Sequence, residues 1–177
     1  MSNIWFWSDP HFYHNNILRL SNRPFTSLEE MHDTLIDNFN SVVRPGDRVF
    51  CLGDFSFSNK EDTSKIFNRL NKCQHHLIRG NHDKDQVEKL PWNWIKDYYE
   101  LKASDSKLVL FHYPIYSWNG AFRGSIQLHG HSHGKVSNAG LRRVDCGVDV
   151  WDYKPVHIDE ILSKVKDVPM NFTENYE

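Results

Sequence analysis

The chain has 177 residues, 39% hydrophobic and 25% charged, the size and balance of one ordinary globular domain rather than a disordered or fibrous segment. A formal net charge of −2 disfavours a sequence-independent grip on long nucleic acid, which needs a basic excess. No apolar run of about 18 residues is present, the opening Met1-Ser2-Asn3-Ile4-Trp5 lacks the marks of a signal peptide, and three scattered cysteines (Cys51, Cys73, Cys146) suit reduced thiols, so a cytoplasmic protein without disulfides or a membrane partner is expected.

In chain order, Ile4 to Ser8 reads as a short apolar strand ending at Asp9. From Ser27 onward, Leu28, Met31, Leu35, Phe39 and Val42 recur at helical spacing, with Thr26 or Ser27 as cap and Glu29 and Glu30 in the first turn. Pro45-Gly46-Asp47 stops that helix. Val49 to Leu52 is a second strand, Lys60 to Leu70 a second helix and His76 to Ile78 a third strand. The pattern then turns to β: Tyr98 to Leu101 and Leu108 to Phe111 flank the turn Ala103-Ser104-Asp105-Ser106, and Ser125 to Leu128 and Leu141 to Val144 are further strands. Arg142 and Arg143 read as an exposed strand face. Ile158 to Val165 is a closing helix with Ile158, Ile161, Leu162 and Val165 on one face, and about the last ten residues are expected to fray. With no repeat or linker, residues 1–177 are expected to form one α/β domain, β-α-β-α-β followed by mainly β, in a layered or sandwiched sheet arrangement.

Chemistry-bearing residues gather where these strands end. The first strand delivers Asp9 and His11, the second Asp54, and the third Asn81, His82 and Asp83. The strand ending at Phe111 delivers His112, and the one ending at Leu128 delivers His129, His131 and His133. Ligands of α/β sheets collect just beyond the carboxyl ends of strands. Mixed carboxylate and imidazole donors suit Mn, Fe, Zn, Co or Ni better than an all-oxygen calcium or magnesium cage. Asp9 and His11, two apart on an extended chain, can hold one ion together, as can His131 and His133. A single Asp or His after a strand is usually a turn or packing residue; the whole set, each member at a strand end, is what points to a metal site.

The series S-D-P-H, L-G-D-F, R-G-N-H-D, a lone His112 and H-G-H-S-H resembles the calcineurin-like metallophosphoesterase superfamily, whose pattern runs D-x-H, G-D, G-N-H-[DE], H, G-H-x-H. The segment V-D-C-G-V-D-V-W-D-Y-x-P-V is similar to that of its small bacterial and phage members. The resemblance implies a four-layer β-sandwich flanked by helices, with a dinuclear metal site at strand carboxyl ends. It implies that Asp9, His11 and His133 bind one metal, that Asn81, His112 and His131 bind the other, and that Asp54 bridges them. His82 would stay off the metals and assist the departing oxygen. The cofactors would be two divalent ions, manganese first, with Fe, Zn, Ni or Co as alternatives.

Phosphoester hydrolysis by a water shared between two such ions needs no protein nucleophile, which agrees with the lack of a G-x-S-x-G elbow or a P-loop here. The phosphoprotein phosphatases extend G-D to G-D-x-V-D-R-G; this chain reads Gly53-Asp54-Phe55-Ser56-Phe57-Ser58, without the second Asp and the Arg. The expected activity is therefore that of a phosphodiesterase on a small phosphoester or nucleotide-like substrate. The alternatives are a phosphomonoesterase, a nuclease, or a non-catalytic scaffold that uses the metal-site fold to bind a partner protein. Substrate contacts are expected from His14 and from Trp118, Asn119 and Arg123 of W-N-G-A-F-R-G; the competing reading of Trp118 is a buried anchor for a rigid surface loop.

Overall fold

The computed structural model describes residues 2–138 and 140–170. Within them the chain runs β1 (Ile4–Trp7), α1 (Ile17–Leu20), α2 (Leu28–Val42), β2 (Arg48–Cys51), α3 (Lys60–Arg69), β3 (Gln74–Ile78), α4 (Asp85–Glu88), β4 (Trp94–Lys96), β5 (Tyr98–Ala103), β6 (Ser106–Phe111), β7 (Ile126–His129), β8 (Arg143–Asp145), β9 (Val156–His157) and α5 (Ile158–Val165).

The elements form two sheets. One has the order β4-β3-β2-β1-β9, parallel except for β9 at its edge. The other has the order β5-β6-β7-β8, with a β5–β6 hairpin and parallel β6, β7 and β8. The first sheet is buried on both faces, which is why its strands are short continuous apolar runs. Trp7, Val49, Cys51 and Leu77 face α2 and α3, where they meet Leu35, Phe39, Ile66 and Phe67. The alternate residues Ile4, Phe6, Phe50, Leu52 and Ile78 face the second sheet and pack on Leu108, Leu110, Ile126, Leu128 and Val144. Ile158, Ile161 and Val165 of α5 join this inter-sheet core. The outer face of the second sheet is covered by the 112–125 loop, whose Trp118 and Ala121 pack on Val109.

Caps fix the helix starts. Ser27 Oγ accepts from Glu30 N at 3.1 Å, and Asn59 Oδ1 accepts from Asp62 N at 3.0 Å. His157 and Glu160 form a capping box on α5.

Four elements escape the sequence reading. β4 and β9 are three and two residues long, too short for an alternation to register, and α1 and α4 are single turns. The exposed face expected of Arg142 and Arg143 is also corrected. Arg143 is buried and donates to Asn138 Oδ1 (2.7 Å), Ile115 O (2.9 Å) and Ser137 O (2.9 Å). Arg142 donates to Gly124 O, Val165 O and Val168 O. Both tie loops to the second sheet. Of the tail expected to fray, residues 171–177 lie outside the described residues. Among the described residues no helix is long and apolar enough to cross a membrane.

Candidate metal centre

The carboxyl ends of β1, β2, β3, β6 and β7 converge, and the loops that leave them bring the sequence-predicted ligands together. One ligand atom each of Asp9, His11 and His133 lie within 4.8 Å of one another, and so do those of Asp54, His112 and His131. Asp54 stands between the groups: its Oδ2 is 3.6 Å from His11 Nε2 and 3.6 Å from His112 Nε2. Asn81 Oδ1 approaches His112 Nε2 to 3.0 Å, which places the amide oxygen at the second group.

These residues fit a cation by a test of their own hydrogen bonding. Asp9 Oδ1 and His11 Nε2 are buried, 3.7 Å apart, and have no hydrogen-bond partner. Leaving both unsatisfied is costly, and a divalent ion satisfies both at once. Burial by itself would raise the Asp9 carboxyl, but the imidazoles of His11, His112 and His133 outweigh it and hold Asp9 well below the usual carboxylate range. Burial lowers the pKa of His11 and, with the charge of His112, that of His131, which favours the neutral imidazole a metal requires.

The ring orientations come from partners on the far nitrogens. His112 donates from Nδ1 to Leu52 O at 2.6 Å, which turns its Nε2 to the centre. Asp149 Oδ2 lies 2.7 Å from His133 Nδ1. Burial opposes protonation of His133, but Asp149 and Asp9 outweigh it and raise its pKa. His11 Nδ1 pairs with His14 Nδ1 at 3.1 Å.

The backbone is bent to suit. Asp9, His11, Asp54, His131 and His133 all have φ between 47° and 65°, a region non-glycine residues seldom occupy and one that clusters at functional sites. Buried carboxylates hold these bends. Asp83 accepts from Asp54 N and Phe55 N at 2.9 Å and from Gly80 N at 2.8 Å, which locks the β2 and β3 loops together. Asp145 accepts from Ser132 Oγ (2.6 Å), Gly134 N (2.9 Å) and Gly147 N (2.8 Å), and so shapes H-G-H-S-H. Asp145, Asp149 and Arg23 are absent from the sequence-predicted site. The spacing within V-D-C-G-V-D is the signal that could have found the two carboxylates; Arg23, in a polar loop before Pro24, carries none.

His82 reaches the rim of the centre. Its exposed ring sits 4.7 Å from that of Phe57 and 6.0 Å from that of His11, and its N–H donates to Asp54 Oδ1 at 2.9 Å. Among the described residues its ring has no carboxylate partner. Phe57 occupies the position of the missing second Asp. His14 is also at the centre, stacked on Phe57 at 4.1 Å and 10°, with its pKa lowered to about 4 by burial and by His11.

Trp118, Asn119 and Arg123 are not at the centre, a correction to the expectation that they contact substrate. The loop turns back from His112 along the outer face of the second sheet. Trp118 is buried there and donates from Nε1 to Ser125 Oγ at 3.1 Å. Asn119 donates to Glu100 Oε1 at 2.8 Å. Arg123 lies beside Ser106 and Lys107, at the opposite end of β6 from His112 and roughly 17 Å away at about 3.3 Å per residue. A ring outside the sequence-predicted set lies beside the centre instead: that of Tyr113, a residue 37% exposed, is 4.7 Å from the ring of His131 and 5.0 Å from that of His112.

Known proteins resemble this chain in sequence and in fold. A family model described as calcineurin-like phosphoesterase matches residues 2–93, which contain Asp9, His11, Asp54, Asn81 and His82. An uncharacterized protein of Methanocaldococcus jannaschii is 35% identical over 173 residues, 94% of this chain and 93% of its own. The gene 66 protein of Mycobacterium phage D29 is 27% identical across 95% of this chain and 98% of its own. A solved structure from Aquifex aeolicus, of unknown function, has a TM-score of 0.74 at 25% identity and covers 93% of this chain and 100% of its own. By these matches the chain belongs to the calcineurin-like phosphoesterase family, hydrolases that cleave phosphate esters with divalent metal ions.

Proposed function

We propose that the chain is a phosphodiesterase with two metal positions that acts on a nucleotide-like substrate. The observation that carries the two-position reading is Asp54 Oδ2, equidistant at 3.6 Å from His11 Nε2 and His112 Nε2, with an aspartate and two imidazoles in the first group and two imidazoles in the second. Asp9, His11 and His133 would hold one ion, Asn81, His112 and His131 the other, and Asp54 would be common to both. When bound, two such ions supply Lewis acidity toward phosphoryl oxygens and a water acidic enough to attack at neutral pH.

The surroundings favour a diester over a monoester. A phosphomonoester dianion carries one more charge than a diester, and phosphate recognition commonly meets that charge with a guanidinium. Here Arg23 is spent on Asp149 and on backbone carbonyls. Among the described residues, the side chains stacked at the rim of the centre are His14, Phe57, His82 and Tyr113, none of them a lysine or an arginine. Manganese-loaded enzyme should therefore turn over bis-nitrophenyl phosphate faster than mono-nitrophenyl phosphate; a preference for the monoester would overturn the diester reading.

His82, on the rim, would hold a proton at a ring nitrogen for the departing ester oxygen. His82→Ala is expected to cost on the order of 10²-fold or more on a diester with an alkoxide leaving group and far less on a nitrophenyl diester. Equal loss on the two substrates rules out the proton-donor role.

A further inference from the structure

The V-D-C-G-V-D segment and Arg23 supply none of the seven proposed ligands, yet they converge on them. The Arg23 side chain is fully buried. Its guanidinium makes a two-point pair with Asp149, Nε to Oδ1 at 2.8 Å and Nη2 to Oδ2 at 2.9 Å. It also donates to Pro10 O at 2.9 Å and to Asp9 O at 2.7 Å. Those carbonyls lie in the turn that holds Asp9 at φ 56° and His11 at φ 54°. Asp149 Oδ2 in turn meets His133 Nδ1 at 2.7 Å. One buried guanidinium thus braces the backbone that carries two members of the first group and, through Asp149, the ring of the third.

We propose that Arg23 and Asp149 are positioning residues for the Asp9–His11–His133 metal position and act little on the Asp54–His112–His131 position. The proposal rests on the two-metal reading. A planar fork that satisfies four acceptors at once is a task lysine cannot perform, so the guanidinium shape matters as well as its charge. Asp149 fixes which His133 nitrogen faces the centre. Outer partners of ligating histidines typically change metal affinity by about 10–100-fold.

The test is manganese binding to the full chain, by calorimetry and by electron paramagnetic resonance, which separates coupled ion pairs from single ions. Wild type is expected to take two ions per chain. Asp149→Asn and Arg23→Met are expected to weaken one of them by about 10–100-fold, to leave the other at its wild-type affinity, and to replace the coupled signal by that of an isolated ion. Arg23→Lys, which keeps the charge and is the gentler change to folding, is expected to show the same one-site loss. Folding of each metal-free variant is checked by its melting temperature. Two ions at wild-type affinity in Arg23→Lys and Asp149→Asn would overturn the proposal. So would equal weakening of both ions in step with a lower metal-free melting temperature, which is the mark of a general structural role. A wild type that fails to take two ions removes the two-metal reading itself and is seen before any variant is made.

Discussion

Asp54→Asn should reduce diester hydrolysis by on the order of 10³-fold or more, beyond the roughly 10–100-fold typical of residues that only support a ligand. The change is nearly isosteric. The new amide keeps an oxygen to accept from His82 N, as Asp54 Oδ1 does at 2.9 Å, and the substitution leaves the backbone N–H that Asp83 holds at 2.9 Å. What disappears is the negative charge at Oδ2, the atom 3.6 Å from both His11 Nε2 and His112 Nε2. Each group would retain its imidazoles, but the first would have Asp9 as its only carboxylate and the second would have none. Two divalent ions in a shared site repel one another, and a carboxylate between them is the strongest available compensation. Manganese titration of the Asp54→Asn protein should therefore show at most one tight ion. Its metal-free melting temperature should stay within about 2 °C of wild type, because the lost group is not part of the hydrophobic core. Two tight ions in this variant would remove Asp54 from the shared position.

The candidate centre was legible in the sequence because its proposed ligands are local events, each a polar residue stranded at the end of an apolar run. Asp9, Asp54, His112 and His131 each follow a strand whose hydrophobicity is set by burial on both faces, and the parallel order places those ends together. The supporting groups were not legible, since their roles depend on contacts across long sequence separations. Arg23 meets Asp149 over 126 positions, and Asp145 acts on a loop whose shape is itself a tertiary product. The Trp118 loop failed for a related reason. Its residue types suit both a substrate lid and a surface anchor, and only the path back along β6 decides between them; a buried indole bonded to Ser125 is the anchor. Short edge strands such as β9 are invisible for want of length, since two residues cannot show an alternation.

Gly80→Ala should be the most damaging single methyl group that can be added to the β3 loop. Gly53 and Gly80 are where the β2 and β3 loops touch: a Cβ at Gly53 would lie 2.6 Å from Gly80 Cα, and a Cβ at Gly80 would collide with the backbone nitrogen and carboxylate of Asp54. Backbone cannot swing aside as a side-chain tip can. The methyl must therefore push Asp54 off its position or part the loops that Asp83 joins. Overpacking of this kind costs about 1–3 kcal/mol, and displacement of a reacting group by about 1 Å costs on the order of 10² in rate. Gly46→Ala supplies the control. Gly46 has φ 91° with open space around the added methyl, so alanine there strains the backbone by roughly 1–2 kcal/mol without touching the centre. Both variants should melt lower than wild type. Only Gly80→Ala should lose manganese affinity and diester hydrolysis, since the link from this glycine to function runs through contact with Asp54 and not through stability. Wild-type ion binding in a folded Gly80→Ala protein would mean that the Gly53–Gly80 contact does not set the position of Asp54.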